Sequence, residues 1–202
     1  KADISFSGAG LPLNLPSFLT EDAKTKLAPI VSSARAAKVL CQKWFSEYKY
    51  IPDAIVVEGP KAGGHLGYKA DQISDEHYSL EAIVPQIVAE VRAFEAEHNC
   101  RIPVIAGGGI YTGEDIYRIM ALGADGVQMG TRFVTLSFFR KDGRSKGSPA
   151  PLKMMSTFSA ILVFTSSAKS ERATITFTLI MPLAFSRAFR ISAARPRLPA
   201  SV

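Results

Sequence analysis

The sequence predicts an α/β protein built on a parallel sheet. Three observations carry this. Through the first 136 residues, short apolar, β-branched runs alternate with longer stretches of helical periodicity, the pattern of repeated βα units. Four of the five short runs are apolar almost without a break, as strands covered on both faces must be. And 202 residues, 47% hydrophobic and 21% charged, suffice for one domain with a sizeable core.

The five strand candidates are Asp3 to Ser7, Ala28 to Ser32, Ala54 to Glu58, Pro103 to Ala106 and Gly126 to Met129. Between them, Arg35 to Tyr48 reads as a helix burying Ala36, Val39, Leu40 and Phe45, and Leu80 to His98 as one burying Ile83, Ile87, Val91 and Phe94. Gly113 to Leu122 is a shorter helix with Ile116, Ile119 and Met120 inward and Gly123 as its C-terminal cap. The stretch Gly59 to Ser79 has no clear period and carries four glycines and His65 at its front, so it is expected to be a long loop with a functional role. Five parallel strands with helical crossovers fit either an open doubly wound sheet or part of a closed barrel, and periodicity does not separate the two.

The net charge of +6 conceals two different parts. Residues 1–136 hold 13 Lys/Arg and 16 Asp/Glu, a balance of −3, whereas residues 137–202 hold 11 and 2, a balance of +9. In the second part the basic residues are scattered among Ser, Pro and apolar residues and do not cluster as a phosphate-binding arm would, so no nucleic-acid partner is expected. Two cysteines, Cys41 and Cys100, make no disulfide framework and no metal-ligand spacing, which points to a reducing, cytoplasmic setting and no metal. The uncharged runs are about 15 residues or shorter, below the roughly 20 that cross a bilayer, so no membrane span is expected. A strand-like segment begins almost at residue 1, which is Lys, and this suggests a missing N-terminal portion.

Chemistry concentrates where strands run into glycines. Ile102-Pro-Val-Ile-Ala-Gly-Gly-Gly-Ile110 leaves a buried strand, passes Gly107, Gly108 and Gly109, and enters a helix near Gly113. Glycines let backbone N–H groups approach an anion, and a following helix N-terminus favours negative charge, so this place suits a phosphate; a plain tight turn is the alternative. Asp125-Gly-Val-Gln-Met-Gly-Thr-Arg-Phe133 is a second strand, ending in Gly130-Thr131 about 20 residues on. In a closed barrel the last two strand exits lie side by side, and the two turns would grip one phosphate; a β-bulge is the bland reading of Gly130.

The third strand leads into Val57-Glu-Gly-Pro-Lys-Ala-Gly-Gly-His-Leu-Gly67 and so delivers His65. An imidazole at a strand exit can take a proton from a substrate near neutral pH, although a structural hydrogen-bonding role is the alternative. His77 and His98 read as surface histidines, and Glu58 either binds a ligand or ends a strand in solvent. No G-x-S-x-G, H-E-x-x-H or Walker loop is present.

These motifs, together with Ser7-Gly-Ala-Gly-Leu-Pro and Ala28-Pro-Ile-Val-Ser-Ser, resemble those of the nitronate monooxygenase family, formerly 2-nitropropane dioxygenases, and of the similar FMN-dependent enoyl-acyl-carrier-protein reductases. The resemblance covers about residues 3–135. It implies an α/β fold that is a partial TIM (β/α)8 barrel, with the five strands here as the last five of eight and FMN at their C-terminal face. By position, His65 falls on the family's catalytic histidine, Gly108 and Gly109 on its phosphate loop, and Gly130 and Thr131 on its second phosphate-binding pair. Glu58 and Gln128 fall where further flavin contacts are made, and Gly107 stands where relatives often carry Ala.

The implied activity is FMN-dependent oxidation of alkyl nitronates or nitroalkanes by molecular oxygen; the alternatives are an NAD(P)H-dependent enoyl-thioester reductase, a non-catalytic phosphate-ligand module or an inactive fragment. Residues 1–136 are then the FMN-binding barrel portion. Residues 137–202, where the resemblance stops, are a basic Ser/Pro/Arg-rich tail such as a frame shift would produce, the alternative being a divergent C-terminal extension. An opened barrel also exposes strand edges, so this chain alone is expected to be poorly soluble or to bind FMN weakly.

Overall fold

The computed structural model describes residues 3–64, 67–130 and 132, together with three short strands further along the chain. The chain divides into two compact units, Lys1–Gln128 and Met129–Val202. In the second, the described strands are β6 (Ala160–Leu162) and an antiparallel pair, β7 (Thr176–Phe177) with β8 (Phe189–Arg190). Most of the tail expected over 137–202 lies outside the described residues.

The first unit is built on five parallel strands in sequential order: β1 (Ile4–Ser7), β2 (Lys26–Val31), β3 (Ile55–Glu58), β4 (Val104–Gly107) and β5 (Gly126–Met129). Three helices cross between them: α1 (Ala34–Tyr48), α2 (Leu80–His98) and α3 (Gly113–Ala121). α1 packs on α2 and α2 on α3, so all three cover the same side of the sheet. A doubly wound sheet reverses its strand order and places helices on both sides. Sequential order with a single helical layer is instead the arrangement of a (β/α)8 barrel, here represented by five strands.

Burial follows the apolar runs. In β3, Ile55, Val56 and Val57 are all fully buried although alternate residues of a strand face opposite sides, so both faces of this central strand are shielded. Pro29 lies inside β2, where a missing N–H would normally break the ladder. It is tolerated because it pairs with Ser7, the last residue of β1, while pairing with β3 begins only at Ile30.

Helix starts match the capping residues of the sequence. Ser33, Ser79 and Thr112 each accept a hydrogen bond from a first-turn amide of α1, α2 and α3. Gly123, at φ +104°, follows α3 and donates to the Met120 carbonyl at 3.0 Å, which fits the expected cap. α2 buries Ile83, Ile87, Val91 and Phe94 as expected.

The face of α1 differs from expectation. It buries Ala37, Leu40, Cys41 and Trp44, while Val39 is exposed and Ala36 and Phe45 are half-buried. The cause is Trp44, whose indole N–H donates to the Pro12 carbonyl at 3.0 Å. That bond satisfies the indole's polar atom and lets the largest side chain of the helix turn inward. In α3 only Ile119 is fully buried, with Ile116 and Met120 half-buried.

At the N-terminal ends of β4 and β5 an ionic cluster joins α2 to the sheet. Buried Glu95 accepts from Arg92 at 2.8 Å, Arg101 at 3.0 Å and the Ile102 amide. Asp125 accepts from Arg92 and the Val104 amide, both at 2.8 Å, and from Arg101. Two carboxylates thus meet two guanidiniums and two main-chain donors, which satisfies Glu95 in a place where a lone charge would be costly.

Candidate active site

Glu58, Gly107, Gly108, Gly109 and Gln128 lie at the opposite, C-terminal end of the strands. Parallel register pairs Glu58 with Gly107 and Gly107 with Gln128, so these three form one row across β3, β4 and β5. Glu58 is half-buried, and burial pushes its carboxyl above its ordinary value. Gln128 Oε1 is buried and has no hydrogen-bond donor among the described residues. Gly107 separates the two side chains. A Cβ there would stand 3.3 Å from the Gln128 Cβ, so the glycine's role is space for Gln128 more than a turn.

Gly108 and Gly109 follow at φ +105° and +77°, conformations that L side chains rarely adopt. The β3 exit loop crosses them closely: a Cβ on Gly108 would lie 2.9 Å from the Ala62 nitrogen, and one on Gly109 would lie 2.9 Å from Lys61 Cδ. The glycines therefore serve the approach of a neighbouring loop as well as the turn itself. Their amides donate to no acceptor among the described residues.

The helix that follows contributes less than its position suggests. Asp115 accepts from the Thr112 amide and hydroxyl, both at 2.8 Å, and from the Tyr111 amide at 3.1 Å. These donors, Thr112 first, hold its carboxyl down at about 2. The start of α3 thus already spends its Tyr111 and Thr112 amides on its own carboxylate.

His65 and Thr131 lie outside the described residues. Gly130 directly follows β5. Of the other histidines, His77 is exposed and bonded to Asp75 at 2.8 Å, as a surface histidine should be. His98 is not a surface histidine. Its ring packs on Phe45 and Phe94 at centroid distances of 4.1 and 4.3 Å. A single sequence shows the helix end but not the two phenyl rings that meet there.

Two residues of this end carry roles that the motifs did not single out. Lys61 lays its aliphatic stem against Gly109; its place in the same loop as His65 was the available signal. Tyr68, also in that loop, places its hydroxyl 2.9 Å from the Glu58 carbonyl and 3.2 Å from that of Ser32. Beside it a cavity of about 320 Å³ is lined by Ser32, Tyr68, Gln72, His77, Tyr78 and Gln86 among others. Among the described residues no cluster of His, Cys, Asp and Glu could hold a metal ion, and no helix is long and apolar enough to cross a membrane.

Comparison with known proteins agrees with the motifs. A probable nitronate monooxygenase of Staphylococcus saprophyticus is 38% identical over 85 residues, 41% of this chain and 21% of that protein. One from Staphylococcus aureus is 43% identical over 84 residues, with the same two shares, 41% and 21%. The chain thus spans about a fifth of the length of these relatives. Among solved structures, a FabK point variant of Thermotoga maritima matches at TM-score 0.48 and 32% identity, over 65% of this chain and 36% of that one. A nitroalkane oxidase of Streptomyces ansochromogenes matches at TM-score 0.38 and 28% identity, over 55% and 28%. The family profile described as nitronate monooxygenase matches residues 1–172, continuing beyond the last of the five motifs. With that span covering most of its length, the chain belongs to the nitronate monooxygenase family.

Proposed function

We propose that this chain supplies the phosphate-binding end of a nitronate monooxygenase-type flavoenzyme that uses FMN and oxygen to oxidise alkyl nitronates or nitroalkanes. The observation that carries this reading is the row Glu58–Gly107–Gln128 with the Gly108–Gly109 turn at its edge. The residues fit a flavin mononucleotide. Gln128 Oε1 is a buried acceptor awaiting a ligand N–H, and the glycine amides are donors without an acceptor among the described residues.

In this reading Gly108 and Gly109, joined by Gly130 and Thr131, hold the phosphate by backbone donation. The aliphatic stem of Lys61 lies against Gly109 beside them. Gln128 and Glu58 orient the ring by hydrogen bonding, with burial raising the Glu58 carboxyl above its ordinary value. His65 takes or steers the proton on the carbon beside the nitro group. The flavin, when bound, supplies the redox chemistry, and the protein's share is position and electrostatics.

Titrating the full chain with FMN and with riboflavin tests the phosphate assignment. FMN is expected to bind at least about tenfold more tightly, because charge-assisted bonds to a phosphate each contribute roughly 1.5 kcal/mol or more. Equal affinity for the two would refute the assignment. In the FMN-loaded chain, bleaching of the flavin by a nitronate alone supports the oxidase reading, and bleaching by NADPH but not by nitronate replaces it with a reductase.

A further inference from the structure

The turn through Gly108 and Gly109 is fastened at both ends. At its β4 end the Gly107 carbonyl accepts from the Gly59 amide at 3.0 Å, and the Gly59 carbonyl accepts from the Ala62 amide at 3.0 Å, a turn that lays Ala62 and Lys61 against Gly108 and Gly109. At its α3 end one carboxylate oxygen, Asp115 Oδ2, accepts from the Tyr111 amide at 3.1 Å and from the Thr112 amide and hydroxyl, both at 2.8 Å. The other oxygen accepts from Arg118 at 2.8 Å, and Arg118 also reaches Glu81 of α2 at 3.2 Å. Asp115 therefore ties the loop to two helices. Ile110, between the two ends, is buried, but a buried side chain fixes where a residue sits more than how its peptide planes are turned. Two positive-φ glycines turn at little steric cost, so the direction of their amides is set by the hydrogen bonds on either side.

On charge alone a carboxylate is the wrong group here, because it bonds an amide only two residues past Gly109 and repels a phosphate held at the turn. We propose that Asp115 is a positioning residue for that phosphate: by holding the Tyr111 and Thr112 amides it fixes the direction in which the Gly108 and Gly109 N–H groups point. Arg118, on Oδ1, offsets the like charge that the carboxylate brings. A turn already set in place binds its anion without first having to be ordered. This rests on the phosphate reading of the turn, but the fastening is measurable without any ligand.

The experiment compares the full chain with its Asp115→Ala, Asp115→Asn and Ser33→Ala variants. Alanine removes the fastening together with the charge, whereas asparagine removes the charge and keeps an accepting oxygen. Ser33→Ala uncaps α1 and controls for lost helix stability. In titrations with FMN and with riboflavin, Asp115→Ala is expected to bind FMN about fivefold more weakly and riboflavin within about twofold of the parent, the effect of having to order a freed loop on binding. Asp115→Asn is expected to recover most of that loss, and Ser33→Ala to change neither affinity. By NMR of the ligand-free chain, the Gly108 and Gly109 amide resonances are expected to shift and broaden in Asp115→Ala, while that of Gly126, in β5, stays fixed. FMN affinity that is unchanged or higher in Asp115→Ala overturns the proposal, since loss of a like charge alone gives that sign. So does an equal loss for FMN and riboflavin, an equal loss in Ser33→Ala, or glycine resonances that do not move. If the parent itself binds FMN and riboflavin alike, the phosphate reading fails, and the glycine resonances still decide whether Asp115 holds the turn.

Discussion

At Gln128 the cost of the proposed function is visible in one atom. A buried amide oxygen without a donor lowers stability by about 1–3 kcal/mol, a cost that a ligand N–H would offset in the proposed function. Gln128→Leu is therefore expected to leave the ligand-free chain as stable or up to about 1 kcal/mol more stable in urea unfolding, and to weaken FMN binding about tenfold. A variant that loses stability and keeps its FMN affinity would place the amide in the core and not in the site. Gly108→Ala acts in the other sense. Its positive φ and the backbone of Ala62 at 2.9 Å together cost about 2 kcal/mol or more, read as a lower urea midpoint at unchanged slope. Both residues stood out in the sequence as candidate ligand contacts. The second reason for Gly108, the approach of a loop some 46 positions earlier, depends on strand register and leaves no local mark.

Elements were more legible than contacts because their signals are local. Each helix start carries a Ser or Thr whose hydroxyl caps the first turn, and α2 was readable straight through Pro85 because its apolar residues keep their period on both sides. The face of α1 was misread because burial of Trp44 depends on the Pro12 carbonyl, 32 residues away. α3 also supplies a pH test. The Asp115 carboxyl sits at about 2, below its ordinary 3.8, owing first to the Thr112 amide. A depressed value means the folded state prefers the carboxylate. The stabilisation is therefore complete above the ordinary value and is lost as pH falls through about 2. Amide exchange in 112–121 is expected to rise between pH 4 and pH 2 relative to that of 80–98, and Asp115→Asn, which carries no titrating proton, is expected to abolish the difference. An equal pH response in Asp115→Asn would assign it to other carboxyls.

Across the whole first unit, the two ends of the sheet carry different work. The C-terminal exits hold glycines, a lone amide oxygen and an uncapped pair of main-chain donors, whereas the N-terminal ends of β4 and β5 are closed by Glu95, Asp125, Arg92 and Arg101 with every carboxylate bonded. That division suits a barrel, in which chemistry sits at one face and stability at the other. The glycine end was read from the sequence but the ionic end was not, since Arg92 and Asp125 are 33 positions apart and each looks like an ordinary surface charge. The division makes a measurable claim. Glu95→Gln keeps the shape but removes the charge that two guanidiniums share. The expected loss is about 2 kcal/mol, toward the low side for a buried ion pair because both arginines retain contact with water. Since the cluster lies a full strand length from Gly108, FMN affinity per folded molecule should stay within about twofold, measured at a urea concentration where both proteins remain native. A fall in affinity in proportion to the lost stability would mean that the register of β4 and β5 is set from the ionic end, and that the glycine turns are held in place by charges at the far side of the sheet.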